Sequence, residues 1–147
     1  MSKLINKNRK FINTKLIQFA SIYELKSYIN DGKANVGENE IDVSKIDISN
    51  LDTLHGLFEE LNVEKIIGLE HWDVSKIKDF SYMFSRCKYL VEISDISKWN
   101  YTSAEDLSFM FYGTWMLETD INIKIPKTAK TDFIKRNSKH PIGIVKY

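Results

Sequence analysis

One cysteine, two prolines and six glycines are all that this chain of 147 residues holds of the residue types that most often impose special structure. The single Cys87 excludes an internal disulfide framework. The glycines form no phosphate-cradling loop. No apolar run approaches the ~20 residues needed to span a bilayer. The basic start, Met1 to Lys15, is followed by none of the roughly 7–15 apolar residues of a secretory signal. His55, His71 and His140 are scattered, and no His/Cys/carboxylate cluster has metal-ligand spacing. These absences predict a cytoplasmic, non-catalytic chain with no cofactor, no metal and no membrane partner. Its 43% hydrophobic and 28% charged residues are those of a single ordinary globule.

What is present is an internal repeat. Ile46 to Phe58 (IDISNLDTLHGLF), Trp72 to Phe84 (WDVSKIKDFSYMF) and Trp99 to Phe111 (WNYTSAEDLSFMF) are copies of one 13-residue pattern. Their closing phenylalanines lie 26 and 27 residues apart, a period that signals a stacked solenoid. The first column is Ile46, Trp72, Trp99, and the third is Ile48, Val74, Tyr101. Apolar residues also fill columns 6, 9, 12 and 13, which end in Leu57-Phe58, Met83-Phe84 and Met110-Phe111. That 3-and-4 spacing predicts a short helix, with Ser49, Ser75 or Thr102 as its N-cap. The segments just before column 1, Asp42 to Lys45, Gly68 to His71 and Asp95 to Lys98, read as short strands. The expected fold class is therefore α/β, a short solenoid of strand–turn–helix units. Stacking of like columns should bury Trp72 over Trp99 and Phe58, Phe84 and Phe111 in one ladder.

The pattern resembles the BspA-like leucine-rich repeat family, whose units run as leucine, DxSxWDxS and then an MF-C-x-x-L tail. The likeness is carried by Asp95-Ile96-Ser97-Lys98-Trp99, by Trp72-Asp73-Val74-Ser75, and by Met83 to Leu90 with Cys87 in the tail. It spans about residues 41–117. The first copy departs from it at Ile46 and at Gly56-Leu57, as an edge unit adapted to a cap would. The resemblance implies a leucine-rich-repeat-like fold, a buried cysteine column and a binding rather than catalytic role. It also raises a surface adhesin-like module, since many such proteins are long and secreted.

One domain of three parts is expected: an N-terminal cap over residues 1–40, three repeats over 41–117 and a C-terminal cap over 118–147. In the first cap, Lys15 to Ala20 reads as a strand. Ser21-Ile22-Tyr23-Glu24 then reads as a capping box whose glutamate returns to the serine amide. The helix should end near Asn30, with Gly32 as its stop. Pro126 closes an extended piece, residues 130–137 suggest a short helix, and Ile142 to Tyr147 a final strand.

Charge is uneven along the chain. Residues 1–30 carry +5, residues 31–120 carry −10 and residues 121–147 carry +6, which together make the chain's +1. Two readings stay open: solvent-facing turns neutralised by basic ends, or an acidic face that steers a basic partner. Candidate partner-binding residues are Asp79, Tyr82, Glu105, Asp106, Phe109, Tyr112 and Trp115, since tyrosine and tryptophan dominate interface hot spots. The expected partner is another protein with a basic surface. One version is a phage or mobile-element inhibitor that covers the nucleic-acid-binding surface of a bacterial defence protein. A different class of function is direct nucleic-acid binding through the basic ends: Lys3, Lys7, Arg9 and Lys10, with Lys124, Lys127, Lys130, Lys135, Arg136 and Lys139. Asp47, Asp73 and Asn100 could offer a calcium ladder. An Asp or Asn in a turn more often accepts its own backbone amide two residues on. The oligomeric state is not readable from the sequence.

Overall fold

The repeats stack into a β-solenoid of about five turns, mostly short strands with one helix. The computed structural model describes residues 15–135 and 140–147. Among them, no helix is long and apolar enough to cross a membrane.

Strand β1 (Ile17–Gln18) pairs in parallel with β3 (Ile46–Asp47). Helix α1 (Ile22–Asn30) follows β1. Strands β2 (Glu40–Asp42), β4 (Lys65–Ile67) and β5 (Glu92–Ile93) form a parallel sheet in that order. Strands β6 (Ile121–Ile125) and β7 (Ile142–Lys146) close the C-terminal end, again in parallel. Parallel pairing of all these strands is what successive coils wound in one direction must give.

Ser21 caps α1 by accepting the Glu24 amide at 3.2 Å, as the capping box requires. Glu24 reaches back to the Ala20 amide at 2.9 Å, one residue earlier than expected. Leu25 and Ile29 face the core, and Gly32 ends the helix with φ of 78°. The core is the stack of columns itself: Val43, Leu69 and Ile96 are fully enclosed, as are Leu54, Phe80 and Leu107. Phe58, Phe84 and Phe111 stack with ring centroids 5.4 and 5.3 Å apart.

The repeats contain no α-helix among the described residues; α1 is the only one. Columns 6 to 13, expected to be helical, are tight turns whose alternate amides cross to the next coil. Leu54, Gly56, Phe58 and Glu60 donate to the carbonyls of Asp79, Ser81, Met83 and Ser85 at 2.8–2.9 Å. Between them, Leu57 and Glu59 bond back only three residues, to Leu54 and Gly56. An α-helix needs every amide for its own residue i−4, so the inter-coil bonds and a helix exclude each other. The strands also sit earlier than expected, and Leu69–His71 is a 3₁₀ turn. Ser49, Ser75 and Thr102 are not N-caps. Their amides are taken by the Asp47, Asp73 and Asn100 side chains at 2.9–3.0 Å.

Stacking continues past residue 117. Leu107, Phe109 and Phe111 donate to Lys130, Asp132 and Ile134 at 2.8–2.9 Å. Residues 132–135 form another such turn where a helix was expected over 130–137; residues 136 and 137 lie outside the described residues.

Candidate functional site

The alternating bond pattern has a conformational consequence. Two columns of the coils turn left-handed: Glu60, Arg86 and Gly113 form one, and Gly56, Tyr82, Phe109 and Phe133 form the other, with φ of 63°, 59°, 61° and 55°. A bulky residue is uncommon there, costing about 1 kcal/mol or more against glycine. Nevertheless three of the four positions carry aromatic rings. Tyr82 and Phe109 stack with centroids 4.8 Å apart and 4° between planes. Phe109 meets Phe133 at 4.9 Å and the edge of Tyr112 at 5.4 Å. At the other end the His55 ring meets Tyr82 edge-on at 5.6 Å.

In the first repeat the column holds glycine, with the ends of two flexible side chains close to it. A Cβ on Gly56 would lie 3.1 Å from Glu59 Oε1 and 3.4 Å from Lys26 Nζ of α1. Helix α1 borders the ladder at this end through Lys26. Phe133, 47% exposed, is its last rung, while Tyr82, Phe109 and Tyr112 are half-buried.

Five of the seven residues expected to bind a partner lie on or beside this ladder. Asp79 and Asp106 form a parallel bridge with each other, so their carboxylates rise side by side from neighbouring coils. Asp79 Oδ1 accepts the Ser81 amide at 2.8 Å, and Asp106 Oδ1 accepts that of Ser108 at 2.9 Å. Tyr82 and Phe109 are rungs. Tyr112 carries the Arg86 guanidinium 5.8 Å above its ring. Arg86 also lies 3.6 Å from Glu59 and 3.8 Å from Glu60. Glu105 is exposed and precedes Asp106 in the chain. Trp115 is 54% exposed, and among the described residues no ring contact joins it to the ladder.

The sequence reading missed Phe133, His55 and Arg86. Phe133 belongs to a shortened coil in which Thr131 and Lys135 replace apolar residues of the other copies and Asp132 replaces His55, Ser81 and Ser108, which hid the repeat. His55 shares a column with Ser81, and stacking makes column mates neighbours: His55 Nδ1 lies 2.7 Å from Ser81 Oγ. The His55 and His71 columns were expected to face solvent. The histidines themselves and Lys98 do, but Ser81 and Ser108 are buried.

Ser81, His55 and Asp79 are residue types that can form a nucleophilic triad, but their order differs. Ser81 Oγ lies 2.5 Å from Asp79 Oδ1, and His55 Nδ1 approaches Asp79 Oδ2 only to 4.0 Å. The hydroxyl stands between acid and imidazole, whereas base catalysis places the imidazole between acid and hydroxyl. Ser81 is also 4% exposed, which leaves a substrate no approach. Cys87 lies in the core, its thiol donating to the Phe58 carbonyl at 2.9 Å. Burial pushes its pKa up to about 12, which suppresses the reactive thiolate.

Three further acids of the body lie in the turns that line two grooves. Asp47, Asp73 and Asp95 sit in turns away from the ladder. The Ser49 and Ser97 amides hold Asp47 and Asp95 below the ordinary aspartate range, as the Ser75 hydroxyl and amide do for Asp73. Grooves of about 560 and 300 Å³ run between these turns, floored by Trp72 and, in the smaller, also Trp99. Among the described residues no three His, Cys, Asp or Glu side chains are grouped to hold a metal ion. Of the basic ends, Lys3, Lys7, Arg9, Lys10, Arg136 and Lys139 lie outside the described residues.

Residues 23–139 match a family described as Mycoplasma protein of unknown function, DUF285. No curated protein and no solved structure matches the chain.

Proposed function

The chain belongs to the DUF285 family, and we propose that it is a non-catalytic repeat module that binds another protein through the Tyr82–Phe109–Phe133 ladder. The observation carrying this reading is a row of aromatic rings held at the surface in a left-handed conformation that glycine would adopt at less cost. Residues kept in such conformations cluster where function requires their side chain. Aromatic side chains also bring large contact area at low entropic cost. The sequence likeness to BspA-like leucine-rich repeats supports the same role, because repeat arrays commonly present extended binding surfaces. Asp79 and Asp106 give the ladder an acidic rim suited to a basic partner. An inhibitor that covers a nucleic-acid-binding surface is one form such an interaction takes, and the cytoplasm is its place of action.

The test is affinity capture from the native cell with the wild-type chain and with a Tyr82→Ser/Phe109→Ser variant, after thermal melts show that both fold. A partner retained by the wild type and lost by the variant supports the proposal. Substrate turnover by the purified chain, or equal capture by both, refutes it.

A further inference from the structure

We infer that the partner meets the ladder with a basic amphipathic segment in which one arginine bridges Asp79 and Asp106. This rests on the ladder being a protein-binding face. Because the rings stack face to face, at 4.8 Å for Tyr82 and Phe109, they offer solvent their edges. Ring edges carry the positive end of the aromatic quadrupole, so they receive apolar groups better than cations. A cation is therefore directed to the neighbouring carboxylates.

Those carboxylates belong to bridged residues on adjacent coils, and adjacent strands lie about 4.8 Å apart. A planar guanidinium can donate to two acceptors at such a spacing, whereas an ammonium acts as a point charge. Among the described residues no lysine or arginine forms an ion pair with either acid; Asp79 has only His55, at 4.0 Å. The chain's own Arg86 shows one guanidinium shared by two carboxylates nearby, 3.6 Å from Glu59 and 3.8 Å from Glu60. A partner matching the face thus places apolar side chains along the Tyr82–Phe109 edges and arginine beside them.

The experiment titrates the full chain, at about 0.15 M salt, with short synthetic peptides alternating leucine with arginine, lysine or citrulline. Arginine should bind roughly tenfold tighter than lysine, and citrulline weakest, as bidentate charge-assisted pairing requires. Asp79→Asn/Asp106→Asn keeps an acceptor for each turn amide and should remove that preference. Asp47→Asn/Asp73→Asn, at the distant turns, should leave it intact. Equal binding of the arginine and lysine peptides, an equal loss in the Asp47/Asp73 variant, or no measurable binding overturns the inference. If the native partner needs Tyr82 and Phe109 but not the two aspartates, the arginine falls and the protein-binding reading stands.

Discussion

The indole rings of Trp72 and Trp99 lie 6.5 Å apart with 6° between their planes. Each indole N–H is satisfied one coil back, Trp72 by the Val43 carbonyl at 3.1 Å and Trp99 by that of Leu69 at 2.9 Å. Each tryptophan thus ties two coils together through its ring and through a buried hydrogen bond.

Trp99→Ala and Phe84→Ala should each cost about 3–5 kcal/mol, the range for truncating a buried aromatic. Trp99→Ala also removes one of two donors to the Leu69 carbonyl, which keeps the Trp72 amide. His71→Ala, at an exposed position beside Glu70, should cost under about 0.5 kcal/mol. Denaturant melts compare the three variants, and a loss at His71 equal to that at Trp99 would contradict the assignment of inside and outside.

The left-handed column separates backbone strain from ring packing. Tyr82→Ala loses the ring contacts and keeps an unfavourable φ, whereas Tyr82→Gly loses only the contacts. The glycine variant should be more stable than the alanine variant by about 1 kcal/mol. The reverse order in thermal melts would show that φ at this position is not left-handed.

Gly68 has φ of 94°, and a Cβ there would run into the Ser44 main chain and lie 2.8 Å from Asp42 Oδ1. Gly68→Ala should therefore destabilise by more than the roughly 1–3 kcal/mol of strained backbone alone. Gly37→Ala, whose Cβ meets nothing within 4 Å, serves as the control in the same denaturant series.

The turn aspartates predict an acid dependence. Hydrogen bonds from the Ser49, Ser75 and Ser97 residues lower the pKa of Asp47, Asp73 and Asp95 in the folded state. Their contribution is present above the unfolded value of about 3.9 and is lost as pH falls through the lowered folded values. Changing all three to Asn, the residue already at Asn100, should flatten stability against pH in that acidic range. Urea melts between neutral pH and about pH 3 measure it; an unchanged slope would remove these turns from the acid response.

Cys87 should resist thiol reagents in the native state, because burial raises its pKa to about 12. The raised value stabilises the fold fully below the unfolded value of about 8.5 and progressively less as pH rises from there towards the folded value. Labelling at neutral pH should match the rate of global unfolding, and rapid native labelling would place the thiol outside the core.

The sequence by itself determined the repeat, its register and its inside. Columns with Trp72 and Trp99, or Phe84 and Phe111, are legible because like residues must stack when equivalent positions recur one coil apart. It also determined the Asp-to-amide turns and the start and stop of α1, which depend on side chains a few residues away. The conformation of columns 6 to 13 was decided by the tertiary structure. Apolar spacing of three and four fits a helix and this turn equally, and only the carbonyls of the next coil, at Asp79, Ser81 and Met83, draw the alternate amides away. The ladder was decided in the same way. Tyr82 and Phe109 could be named from the sequence, but their left-handed φ and the arrival of Phe133 beside them depend on inter-coil bonds. Those bonds join residues more than twenty positions apart, which no local pattern encodes.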